Sequence, residues 1–170
     1  FYGMRKSFLK AYWYGQKGKN YLEEVIEIDS TYYDAYLGLG IYHYLADVLP
    51  KFVKVLSFLL GVDGDRDKGI YELNLAAEKG VYTKTEAMFF LSAIYTYREK
   101  EYKKAVEILN KLLSKYPNNG GALIHLGRCY SYMGKCELAL KTFQKILEQG
   151  EKNIRLPITS LHYQIGDVQY

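Results

Sequence analysis

Five times along the chain, twice imperfectly, the same spacing of residue types returns. Residues 122–148 carry Leu123, Leu126-Gly127 and Tyr130, followed by Ala139, Phe143 and Ile146. Residues 85–117 carry Met88, Leu91-Ser92 and Tyr95, followed by Ala105, Leu109, Leu112 and Pro117. An earlier copy has Tyr36, Leu39-Gly40 and His43, then Gly69, Leu73 and Ala76. A partial copy closes the chain with His162, Ile165-Gly166 and Gln169. A degenerate one opens it with Tyr2 and Leu9, then Gly18, Leu22, Val25 and Ser30. Steps of three, four and seven residues place the large members of each set on one helical face. A chain patterned in this way folds as stacked helices, and each copy leans on its neighbours for a core.

The pattern resembles the tetratricopeptide repeat, which runs from a large residue through Leu-Gly and Tyr to Ala, Phe and a final Pro. The spacing has a plain physical reading. The small residue after the leucine (Gly40, Ser92, Gly127, Gly166) lets a second helix approach closely. The small residue opening that second helix (Gly69, Ala105, Ala139) sits at the same crossing. Pro117, or Ser30 in its place, ends a second helix and starts the next turn. The expected fold is an all-α, right-handed tetratricopeptide-like solenoid with one inserted helix, forming a single domain over 1–170. Its repeats fall near 1–31, 32–83, 84–118 and 119–157, with a partial one at 158–170.

Two departures from a 34-residue period stand out. Tyr36 to Met88 is 52 residues, 18 more than the period, so an insertion is expected within 47–66. Leu123 to His162 is 39, five more. Helices are expected near 3–16, 18–29, 32–48, 51–61, 66–79, 83–99, 101–115, 119–133, 135–149 and 157–170. Stops are expected at Gly80, Gly134 and Gly150, and a turn at Asn118-Asn119-Gly120. The chain opens on Phe1 and closes inside a first helix. This reading therefore expects a piece of a longer protein with further repeats.

Tyrosine is the compositional excess, at 19 of 170 residues against seven phenylalanines and one tryptophan. Tyr36, Tyr95 and Tyr130 hold pattern positions and read as inter-helix core. Other side chains fall on the stripe that, by the family resemblance, lines a concave groove. The groove candidates are Leu37, Ile41, Tyr44, Phe89, Tyr97, Ile124, Arg128, Tyr132 and Tyr163. Exposed aromatics in a concavity are good anchors for a peptide. The alternative is that Tyr44, Tyr97 and Tyr132 pack on neighbouring helices or on further repeats. Some family members grip a terminal carboxylate with cations on this stripe, but here only Arg128 falls in a matching place.

The segment Val48–Val62 spaces Phe52, Val55, Leu56, Leu59 and Leu60 helically, with Lys51 and Lys54 opposite. It reads as an extra helix folded on the solenoid, with membrane-surface attachment as the alternative. Asp63, Asp65 and Asp67 alternate as a calcium loop begins. However, Lys68 stands where the loop's glycine belongs and Asn74 replaces its glutamate, so Asp65 or Asp67 reads as a helix N-cap. The three histidines lack a ligand spacing, and Cys129 reads as a buried, inert thiol. No metal or other cofactor is expected.

The formal charge of +4 is spread without a basic block, which argues against nucleic acid. Two cysteines are too few for a disulfide framework. Residues 20–115, from Tyr33–Tyr44 through Leu49-Pro50, Gly64-Asp65 and Lys68-Gly69 to Gly80, also resemble a bacterial subgroup of the family of unassigned function. The resemblance implies a non-catalytic scaffold for a protein or peptide partner. Self-association is the structural alternative, and both cytoplasmic and periplasmic settings stay open.

Overall fold

The computed structural model describes the backbone of residues 2–48 and 64–153, and the side chains of 13–48 and 64–148. Over these residues it contains seven helices and no strand. They are α1 (Tyr2–Ile28), α2 (Ala35–Asp47), α3 (Arg66–Lys79), α4 (Lys84–Tyr97), α5 (Tyr102–Lys115), α6 (Gly120–Tyr132) and α7 (Cys136–Asn153). The expected helices at 51–61 and 157–170, the apolar segment 48–62 beyond Val48, and the partial closing repeat lie outside the described residues.

One expected helix break and one expected stop are overruled. Helices 3–16 and 18–29 are one continuous helix, α1. An interior glycine costs a helix only about 1 kcal/mol relative to alanine and leaves its hydrogen bonds intact, so Gly18 alone does not break it. Gly150 likewise lies inside α7. The other stops are real. Gly134 adopts φ +69, a left-handed conformation that favours glycine. Gly80 follows α3 and closes it by donating its N–H to Ala76 O. Asp65 caps α3 by accepting from Lys68 N at 2.9 Å, and Asn119 caps α6 by accepting from Ala122 N at 3.0 Å. The N-cap reading of Asp65 is thus the one adopted.

The chain divides into two compact units, Phe1–Ala87 and Met88–Tyr170, with the boundary inside α4. In the first unit α2 lies between α1 and α3. Leu22 of α1 occupies the space that a side chain at Gly38 would need, and the Tyr42 hydroxyl donates to Gln16 Oε1. On the other side α2 and α3 meet glycine to glycine. A Cβ on Gly40 would lie 2.8 Å from Gly69 O, and one on Gly69 would lie 2.5 Å from Tyr44 N. This is the small-residue crossing expected from the spacing. Around it Leu39, Tyr44, Leu73 and Ala76 are almost completely buried. Gly64 returns against the backbone of Ala46 and Asp47, and Asp65 N donates to His43 O at 3.1 Å. Gly64 and Asp65 therefore lie beside the C-terminal end of α2.

The turn between α3 and α4 is organised from a distance. Asp34, just before α2, accepts from the N–H groups of Val81 (3.1 Å), Tyr82 (2.9 Å) and Thr83 (2.8 Å), and from the Thr83 hydroxyl (2.7 Å). Burial pushes its carboxyl pKa up, but the hydrogen bonds from Thr83, Tyr82 and Val81 together outweigh burial and hold it below the ordinary value.

In the second unit the same crossing recurs with other residues. Ser92 and Ala105 are fully buried. A Cβ on Gly127 would lie 2.7 Å from Phe143 Cζ, so that ring packs on bare backbone. Leu123, Ala139, Phe143 and Ile146 form the α6–α7 core, with Leu113, Ile124, Tyr130, Leu140 and Leu147 around it. Of the tyrosines read as core, Tyr95 is buried, while Tyr36 and Tyr130 are half-buried.

Candidate functional site

The groove candidates do not all come together. In the first unit Leu37 and Ile41 are half-buried on α2. Tyr44 is only 1% exposed, which corrects its placement on an open stripe. The physical reason is Gly69, whose missing side chain lets α3 close over the Tyr44 backbone and Cβ. Tyr163 lies outside the described residues.

In the second unit Phe89 and Tyr97 of α4 meet Arg128 of α6 through a residue the stripe omitted, His125. Its ring stacks on Phe89 (centroids 4.6 Å apart, planes at 27°) and takes Tyr97 edge-on (5.5 Å, 87°). Arg128 Nη1 donates to the Tyr97 hydroxyl at 2.8 Å, and its guanidinium lies 5.9 Å from that ring's centre. The helical register carries the signal for it: His125 and Arg128 are three residues apart and share a face.

Burial first, and then the Arg128 charge, lower the His125 pKa, which keeps the ring neutral near pH 7. The Ser92 hydroxyl donates to Phe89 O at 2.7 Å and lies 3.4 Å from His125 Nδ1. With the hydroxyl hydrogen so engaged, Nδ1–H is assigned as donor to Ser92 and Nε2 keeps its lone pair. The cluster therefore combines aromatic rings, one acceptor nitrogen and one guanidinium.

The remaining candidates sit at its margins. Ile124 packs against the α6–α7 core. Tyr132 is 54% exposed, with its ring 5.4 Å from that of Tyr102 on α5, so it touches a neighbouring helix and solvent together. Cys129 is completely buried against the Thr96 hydroxyl at 3.1 Å. Burial pushes its thiol pKa up, against the smaller opposing effect of Thr96, so it stays protonated and inert.

No helix among the described residues is long and apolar enough to cross a membrane. The sequence profile of the tetratricopeptide repeat family matches residues 97–156, which take in α5, α6 and α7. Repeats of this family generally mediate protein–protein interaction and are generally non-catalytic scaffolds. The helix pairs and their small-residue crossings agree with this match, which makes residues 97–156 similar to the tetratricopeptide-repeat family.

Proposed function

We propose that the chain is a non-catalytic interaction module that holds a peptide or protein segment on its first-helix faces. The anchor is the Phe89–His125–Tyr97–Arg128 cluster, and Ile124 and Tyr132 extend it. The observation that carries this reading is the exposure of Tyr97, 38% open although its ring and hydroxyl are both engaged. A side chain fixed from two sides and open on the third offers contact area at small entropic cost. Such preorganised aromatic and arginine groups dominate binding energy at interfaces. Leu37 and Ile41 belong to the same reading in the first unit.

The test is a selection of random peptides displayed on phage against the wild-type chain. Selected peptides are then titrated against Tyr97→Ala and Arg128→Ala. Hot-spot truncation costs about 2 kcal/mol or more, roughly a thirtyfold loss of affinity. Peptides that bind both variants as tightly as wild type would overturn the assignment.

Self-association is the second reading, supported by Trp13, Tyr14 and Tyr21 of α1, which are 67%, 71% and 54% exposed. It expects sedimentation equilibrium to show a dimer that Trp13→Ser with Tyr14→Ser abolishes.

A further inference from the structure

The first unit contains a buried polar group that peptide binding does not use. His43 occupies the repeat position where the family pattern has tyrosine, and α3 places Glu72 opposite it. The two residues are 2% and 4% exposed, and His43 Nδ1 is 2.6 Å from Glu72 Oε2. Lys68 lies one turn before Glu72, with Nζ 3.4 Å from His43 Nε2 and 3.9 Å from Glu72 Oε1. Its side chain is 49% exposed, so the amine is reached from solvent while the groups behind it are not.

The partners assign the ring's tautomer by geometry. Nδ1–H donates to the carboxylate, and the Nε2 lone pair accepts from the Lys68 ammonium. Amine, imidazole and carboxylate then stand in the order of an activated nucleophile, a base and the group that orients the base. When a proton passes from Nζ to Nε2, the positive charge moves from 3.9 Å to within 2.6 Å of the Glu72 carboxylate. The imidazolium forms where that carboxylate is closest.

We propose that Lys68 is a site of covalent acylation by small activated acyl groups, with His43 taking its proton and Glu72 positioning and balancing His43. The Nζ lone pair adds to the acyl carbonyl carbon and an N–C bond forms. The C–O bond of an acyl phosphate, or the C–S bond of a thioester, breaks with its electron pair. Of the two protons the ammonium loses, one travels through His43 to the departing phosphate or thiolate and the other goes to water. The product is a neutral amide at Lys68.

The experiment treats the full chain with acetyl phosphate and, separately, with acetyl-coenzyme A, and follows each lysine by peptide mass spectrometry. Lys111 and Lys141, both exposed, serve as internal references. Base assistance predicts labelling of Lys68 at least about tenfold faster than of either reference. The advantage should fall to about onefold at every pH in Glu72→Gln. Preference for one donor supports the proposal and names the leaving group. Labelling of wild-type Lys68 no faster than Lys111 by both donors overturns it, whatever the variant does. A Glu72→Gln protein that keeps the wild-type rate and pH profile removes the role of the His43–Glu72 pair.

Discussion

Replacing Gly69 by alanine adds one methyl group at the tightest point of the α2–α3 crossing. An ideal Cβ there lies 2.5 Å from Tyr44 N, 2.8 Å from Gly40 O and 2.8 Å from Tyr44 Cβ. Two of these three atoms are backbone, so no side chain can rotate away and the helices must separate. Opening by roughly 0.5–1 Å forfeits a quarter to a half of each contact's dispersion energy along the seam. That seam includes Leu39, Tyr44, Leu73 and Ala76, all almost fully buried. Overpacking of this kind costs about 3 kcal/mol or slightly more, the upper end of its usual range. Alanine's better helix propensity returns about 1 kcal/mol, leaving a net loss of about 2–3 kcal/mol.

The control is the same substitution elsewhere. Gly18 also lies inside a helix, but a Cβ there meets nothing within 4 Å. Gly18→Ala therefore gains the propensity term alone, about 0.5–1 kcal/mol. Urea unfolding followed by circular dichroism compares the two variants with wild type at constant m value. The midpoint should fall for Gly69→Ala and rise for Gly18→Ala. Equal midpoints for the two variants, or a more stable Gly69→Ala, would refute the claim that glycine is present at 69 to let the backbones meet.

Two further expectations concern titratable groups. Asp34→Ala removes the acceptor shared by three N–H groups and one hydroxyl, and should cost about 1–3 kcal/mol at pH 7. Because its folded pKa is lowered, that contribution is complete above the unfolded carboxyl value of about 4 and is lost as pH falls through the lower folded value. Thermal melts from pH 7 to pH 3 should thus show the gap between wild type and Asp34→Ala constant at first and closing at the acid end. A gap that widens in acid would contradict the capping role. A thiol-disulfide reagent at pH 8 should modify exposed Cys136 promptly and buried Cys129 only after urea is added, giving one equivalent and then two. Two equivalents in the native protein would contradict the burial of Cys129.

Legibility in the sequence followed the range of the interaction. Leu39-Gly40 and Leu126-Gly127 announced helix crossings because the requirement for a small residue is local and periodic. Gly40 against Gly69 and Gly127 against Phe143 occur as that spacing implies. The turn at Asn119 and the cap at Asp65 were readable for the same reason, each satisfied three residues onward. Tyr44 was misplaced because neighbouring positions on a helix differ by about 100°. Whether it faces an opening or another helix depends on how closely that helix approaches.

The sequence by itself determined helix, crossing and turn, all set by contacts within a turn or by a periodic need for space. Only the tertiary structure decided where the polar groups find partners. Asp34 reaches residues 81–83 across 47 to 49 positions, His43 meets Glu72 across 29, and Ser92 reaches His125 across 33. A hydrogen bond needs its atoms within about 3 Å. No periodicity encodes that distance for residues so far apart, and only the closeness allowed by the small residues at the crossings brings such groups within reach.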